Sequence, residues 1–200
     1  MTNDRISQFL ETAHSIIPSL DDFGDEPFTL YERPRFINNE KAAKRSHPDN
    51  PQAFLKYLQE FGKIGTLTVS YAILPFLIFG VYVSGYQTVD GAARSFRDLK
   101  AERLPQAKSL DLNIGLGDDR FGVERGTDGK TRQLVIQFRL RQFINSLAVV
   151  FTPRLHPNQA LNGLVSSAHL MDTRTARLIG IDCPLIDKPV WNLSDNSNLK

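Results

Sequence analysis

Residues 64–89 read IGTLTVSYAILPFLIFGVYVSGYQTV, 26 residues without a formal charge, bounded by Lys63 and Asp90. How this stretch is read decides the fold. Averaged over its best window, Ile64 to Tyr82, mean hydropathy is roughly 1.7, slightly above the usual threshold for a transmembrane candidate. About 20 residues in a helix cover the ~30 Å hydrocarbon core of a bilayer. Tyr71, Tyr82 and Tyr86 stand towards the two ends, where a ring with a polar tip suits the headgroup region. Pro75 is tolerated in a span when neighbouring groups satisfy the freed carbonyl. Length and lack of charge therefore give the first expectation, a transmembrane helix over 64–89.

Two features of the same stretch point elsewhere. Four Lys or Arg precede it within twenty residues (Lys44, Arg45, Lys56, Lys63) and five follow (Arg94, Arg97, Arg103, Lys100, Lys108), so flanking charge fixes no orientation. The residues on either side of Pro75 are also rich in strand formers, among them Thr66, Thr68, Val69 and Ile73 before it and Ile78, Val81 and Val83 after it. Two buried strands divided at Pro75 are the alternative, and the chain then has 64–89 as the centre of a soluble core.

Outward from this stretch, the chain has ordinary globular composition: 200 residues, 41% hydrophobic, 23% charged, net charge +2. That mild basicity selects neither nucleic acid nor an anionic membrane surface. Charge is uneven, about −5 over residues 1–26, +4 over 33–63 and +4 over 90–200. The single cysteine, Cys183, excludes an intrachain disulfide and a multi-cysteine metal site. The first 22 residues spread Asp4, Arg5, Glu11 and His14 through what a secretory signal would keep apolar, so no such signal is expected.

On the N-terminal side, Ile6, Phe9, Leu10, Ala13, Ile16 and Ile17 recur at helical spacing and predict an amphipathic helix ending at Pro18. Residues 19–39 sustain no period and read as an acidic linker. Phe23, Phe28, Tyr31 and Phe36 are interleaved with its charges, which makes them candidate partner contacts, beside the plainer reading of a loop wrapped over its own domain. Asn50 and Pro51 start a second helix, stopped at Gly62.

On the C-terminal side, Asp90 caps a helix running to Pro105. Alternation at Leu110, Leu112, Ile114 and Leu116 predicts a strand. Phe121 to Arg125 and Leu134 to Leu140 predict a hairpin about the Asp128-Gly129 turn, giving a three-stranded antiparallel sheet over 110–141. Residues 143–151 fit strand or helix, 158–171 a helix and 176–181 a last strand. The expected class is α+β, with a helical and linker segment (1–63), the central hydrophobic segment (64–89), an α+β domain (90–190) carrying a small antiparallel sheet with flanking helices, and a polar tail (191–200).

Two short motifs resemble known families. His47-Pro48-Asp49, within NEKAAKRSHPDNPQAFLKYLQEF, is similar to the tripeptide of J-domain co-chaperones, where it lies in the loop between two antiparallel helices and stimulates an Hsp70 partner. The resemblance covers residues 39–61 only, and Pro27 and Pro34 occupy the place of the family's first helix; a turn followed by a helix cap yields the same tripeptide. Gly117-Asp118-Asp119 resembles the strand-turn-strand motif with which viral RNA polymerases hold catalytic metal. This chain has no room for the other motifs a polymerase needs, and a solvated hairpin turn is the simpler reading.

No catalytic or cofactor pattern emerges. His14, His47, His156 and His169 are scattered without ligand spacing, and Ser166, Ser167 and His169 lack a Gly-x-Ser-x-Gly elbow. Asn192-Leu193-Ser194 fits a glycosylation sequon. Arg139, Arg141 and Arg154 are the candidate nucleic-acid or anion contacts, since Arg139 and Arg141 share one face of a strand. The function expected from the sequence is a non-enzymatic structural or assembly subunit of a larger complex, anchored in a lipid bilayer by one span and bound to other protein subunits. The alternative is a soluble, self-assembling coat or nucleocapsid-type protein binding RNA.

Overall fold

Residues 64–89 form a β-hairpin. In the computed structural model, which describes residues 3–112, 114–127, 131–181, 183, 188–191 and 193, Lys63–Ile73 (β2) pairs antiparallel with Leu77–Tyr86 (β3), with Leu77 opposite Ile73 and Ser84 opposite Thr66. Pro75 sits in the turn between them. The cause is a period of two that an averaged hydropathy hides. Leu67, Val69, Tyr71 and Ile73, with Leu77, Phe79, Val81 and Val83, all face one core. Thr66, Thr68 and Ser70, with Gly80, Tyr82 and Ser84, face the other way. A helix would scatter the hydroxyls around its circumference, whereas strands segregate them. The expected transmembrane helix is thus corrected to two strands, and no helix among the described residues is long and apolar enough to cross a membrane.

The hairpin belongs to a seven-stranded antiparallel sheet of order β1-β2-β3-β7-β6-β5-β4. Thr29–Ile37 (β1) flanks β2 at one edge and Lys108–Leu110 (β4) closes the other. Asp119–Thr127 (β5), Thr131–Leu140 (β6) and Phe143–Phe151 (β7) form the rest. β7 lies between β3 and β6, so it joins the central hairpin to the C-terminal strands in one continuous ladder. The mixed α+β class expected from the sequence is what the chain adopts, with one seven-stranded sheet in place of the small three-stranded sheet expected over 110–141.

Five α-helices cover the sheet among the described residues. On the apolar face lie Asn3–Ile16 (α1) and Pro157–Leu178 (α5), which bring Phe9, Ala13, Ile16, Leu164, Ala168 and Met171 onto the strand residues named above. Phe23, Phe28, Phe79 and Trp191 form an aromatic knot there: the Trp191 ring lies 5.0 Å from Phe28 and 5.1 Å from Phe79, and Phe23 lies 4.5 Å from Phe28. Gly163 of α5 makes this possible, because a Cβ at that position would stand 2.2 Å from the indole. Arg174 ties α5 to the N-terminal segment, pairing with Asp22 at 2.7 Å and donating to the Ile17 carbonyl.

On the opposite face lie Asn39–Ser46 (α2), Pro51–Glu60 (α3) and Val89–Arg103 (α4). Each starts at a side-chain cap: Asn38 accepts from Lys41, Asn50 from Ala53 and Thr88 from Gly91. α4 packs Ala92 and Phe96 over Phe121, Val123, Val135 and Ile144.

Several local expectations are revised. Residues 29–37, expected as linker, are an edge strand, bulged at two places and carrying Pro34, which an interior strand would not tolerate. The strand expected over 110–116 shrinks to β4; Leu112, Ile114 and Leu116 still turn their side chains to the core from irregular backbone. The strand expected at 176–181 is the end of α5 and its cap. The Asp128-Gly129 turn and Asn192 and Ser194 of the sequon lie outside the described residues. Thr127 pairs with Thr131 on either side of that turn.

Candidate functional site

A sheet face covered by helices is ordinarily apolar, and the face beneath α2, α3 and α4 is apolar only where α4 sits. Between α4 and the α2–α3 pair the floor is polar. The register brings Thr68, Tyr82, Ser146 and Gln137 into one row across β2, β3, β7 and β6. Next to it, Ser70, Gly80 and Ala148 form a row of small residues, of which Ala148 lines the cleft while Gly80 lies beneath the Tyr82 ring. The result is a cleft of about 530 Å³, within the ~300–1,000 Å³ typical of small-molecule sites.

The floor's hydrogen bonds are made in pairs. Thr66 and Ser84 hydroxyls lie 2.8 Å apart, and Gln137 Nε2 donates to Ser146 Oγ at 2.9 Å. Gln137 is 3% exposed, and its Oε1 has no partner although it is fully buried. A buried amide oxygen left unpaired costs about 1–3 kcal/mol. In a central strand facing a cavity, such an atom is an acceptor available to a donor brought from outside.

The walls are aromatic and basic. Tyr57 of α3 donates to Asp98 Oδ2 of α4 at 3.0 Å and so bridges the two helices at the cleft. Burial, then the Asp98 carboxylate, raises the Tyr57 phenol well above its ordinary value. Tyr86 OH and Ser95 Oγ lie 2.9 Å apart, and burial raises the Tyr86 phenol to about 12. Arg45, Lys63, Arg103 and Arg125 also line the cleft, against the single carboxylate Glu102. Burial alone lowers the Lys63 ammonium to about 8. Burial, then the charge of Arg125, lowers the Arg103 guanidinium, with Glu102 and Tyr82 acting in the opposite direction. The Arg125 Nε is buried and without a partner.

The residues singled out from the sequence fall elsewhere. Arg139 pairs with Asp118 at 2.7 Å, and the Arg141 backbone N–H donates to the same carboxylate. Arg154 stacks on Phe76, 5.4 Å from the ring centroid, beyond the other end of β7. β7 separates Arg141 from Arg154 by roughly 30 Å at ~3.3 Å per residue, so the three make no common patch. Phe23 and Phe28 are buried in the chain's own core, Phe36 is half-buried and Tyr31 is exposed. Asp118 and Asp119 diverge onto Arg139 and Lys100, and no group of described residues could hold a metal ion. His47-Pro48-Asp49 does connect α2 to α3, with the His47 ring 4.0 Å from Phe54, but the segment before them is strand β1.

Sequence reasoning missed Gln137, Ser146, Arg103 and Arg125 as a group. The signal was present as polar residues at alternate positions of several neighbouring strands, Thr66, Thr68 and Ser70, then Tyr82 and Ser84, then Gln133 and Gln137.

No family model matches the chain, and no curated protein matches it in sequence. Among solved structures it is similar to the crystal structure of the extracellular domain of PknH from Mycobacterium tuberculosis, with a TM-score of 0.50 and 9% identity over 84% of this chain and 96% of that one. At that identity the likeness is one of fold.

Proposed function

We propose that this chain is a small-molecule binding module whose site is the cleft between α2–α3 and α4. The observation that carries the proposal is the polar floor: a central sheet face, roofed by helices, bears hydroxyls and amides and keeps the Gln137 Oε1 buried and unpaired. Apolar side chains on that face would pack at lower cost, and a polar ligand accounts for hydroxyls and amides in their place. Binding, not chemistry, is proposed because the floor groups hydrogen-bond one another and, among the described lining residues, the titratable partners of ordinary acid–base catalysis reduce to Glu102, Lys63 and tyrosines. Assembly into a larger complex and RNA packaging, both expected from the sequence, rest on dispersed residues and on a span that is a hairpin, so the cleft is preferred over them.

The test is a thermal-shift screen of the full chain against charged and uncharged polar metabolites, repeated on Ala148→Phe, which fills the small-residue row. A ligand at a hundred times its Kd stabilises by about 2.7 kcal/mol, a rise of about 5–11 °C in Tm for a domain of this size. Compounds that stabilise the wild type and not the variant support the reading. Failure of every compound, or equal shifts in both proteins, overturns it.

A further inference from the structure

The charges at one end of the cleft are unbalanced, and that imbalance says what kind of ligand belongs there. Elsewhere four half-buried cations are each matched by a carboxylate: Lys100 to Asp119, Arg132 to Glu124, Arg139 to Asp118, Arg174 to Asp22. Among the described residues, no carboxylate pairs with Arg45, Lys63, Arg103 or Arg125. Arg103, at the C-terminal end of α4, and Arg125, on β5, come from separate elements and line the same end of the cleft. Register places Arg125 opposite Gln133 on β6, itself a lining residue.

Placing two guanidinium groups near each other, with only the exposed Glu102 carboxylate to offset them, is unfavourable. The arrangement persists because the fold holds each arginine from a different element. An oxyanion placed between them relieves the repulsion and takes the buried Arg125 Nε as a donor, in the forked geometry that suits phosphate and carboxylate. One compact dianion balances both charges at a single centre. Beyond that end the cleft offers hydroxyls, the Gln137 Oε1 acceptor and the Tyr82 ring, which suits a hydroxyl-rich remainder able to donate hydrogen bonds.

We infer that the cleft binds a phosphate monoester of a polyhydroxylated small molecule, with its phosphate between Arg103 and Arg125 and its hydroxyls on Gln137 and Ser146. This rests on the binding-module reading above and narrows it to a ligand class.

The test uses the full chain and calorimetric titration of glucose 6-phosphate and adenosine 5′-monophosphate, each beside its unphosphorylated parent, with succinate as a dicarboxylate of equal charge. The proteins are wild type, the double variant Arg103→Gln/Arg125→Gln, and Arg97→Gln as an exposed control outside the cleft; circular dichroism verifies that each is folded. The expected result is binding of a phosphorylated compound at least tenfold tighter than its parent, weakened at least tenfold in the double variant, unchanged in the control, and falling with added salt. Equal binding of parent and phosphate, or binding indifferent to the double variant, overturns the inference and leaves the cleft reading standing. Succinate bound as tightly as either phosphate overturns the assignment to phosphate. No binding of any compound at millimolar concentration overturns the inference, and the wider metabolite screen with Ala148→Phe then decides the cleft reading by itself.

Discussion

Replacing Lys63 by Met tests the electrostatic account of the cleft most directly, because it predicts a gain in stability with a defined dependence on pH. Lys63 opens β2, partly buried, with its ammonium lowered by desolvation from 10.5 to about 8. In the unfolded chain the same amine keeps its ordinary value. Between pH 8 and about 10.5 the unfolded state therefore binds more protons than the folded one, so stability rises with pH across that window and is lower by the full amount below pH 8. At about 1.4 kcal/mol per pH unit, the interval amounts to roughly 3 kcal/mol. Partial exposure lets water and salt screen the charge, and about 1–2 kcal/mol is the expectation. Methionine keeps the length and apolar stem of lysine without the charge.

The assay is urea denaturation of wild type and Lys63→Met at pH 7.0, 8.0, 9.0 and 9.8, read as the difference between the two proteins, because the buried tyrosines lower the stability of both as pH nears their ordinary value of about 10. The variant should be more stable at pH 7 by about 1–2 kcal/mol, and the two curves should converge as pH rises towards 10. If the variant is less stable at pH 7, or if the gap between the two proteins does not narrow between pH 8 and 9.8, Lys63 is not a desolvated cation and the electropositive cleft loses one of its members.

Three further outcomes follow from contacts already described. Gly163→Ala should lower stability by about 1–3 kcal/mol, since its Cβ meets Trp191 2.2 Å away and either α5 or the indole must shift; red-shifted Trp191 emission and a lower Tm would register it. Asp118→Ala removes the acceptor shared by Arg139 and the Arg141 N–H, leaving a half-buried guanidinium with only the Arg141 carbonyl; a loss of about 1–3 kcal/mol in urea is expected, and an unchanged midpoint would mean that water replaces the carboxylate. Tyr57→Phe breaks the bridge from α3 to Asp98, so amide hydrogen exchange should quicken in α2 and α3 while α1 and α5 stay protected; uniform protection would deny that this bond holds the roof of the cleft.

The sequence announced helices well and strands unevenly, for physical reasons that differ from element to element. α1, α3 and α4 were legible because a single apolar stripe and a stopping Pro or Gly agree at each, although α4 is capped by Thr88 and the expected cap, Asp90, lies in its first turn. β2 and β3 were harder. Their buried hydroxyls are Thr and Ser, too weakly polar to pull down an averaged hydropathy, so alternation was visible only once Leu67, Val69 and Tyr71 were set against Thr66, Thr68 and Ser70. β7 was ambiguous because its outward residues include Ile144, Ala148 and Val150, which erase the period. The cleft was not legible as a site, since Arg103 and Arg125 are 22 positions apart and meet only through the pairing of β5 with β6 and the path of α4 over them.

The bulged edge strand β1 has a consequence for how this chain behaves at high concentration. The centre of the sheet is among the most apolar segments of the molecule, the kind of sequence that stacks into fibrils when a neighbouring chain can extend the ladder. At this edge, the free side of the ladder is broken twice within nine residues, between Leu30 and Glu32 and again between Glu32 and Arg35. Pro34 lacks an amide proton where an incoming strand would seek one, and Arg33 and Arg35 flank it with like charge. A second molecule arriving at this edge finds no run of regular backbone long enough to grip. The irregularity of β1 thus works as a guard rail, keeping the apolar ladder of β2 and β3 from being extended by a second molecule at this edge.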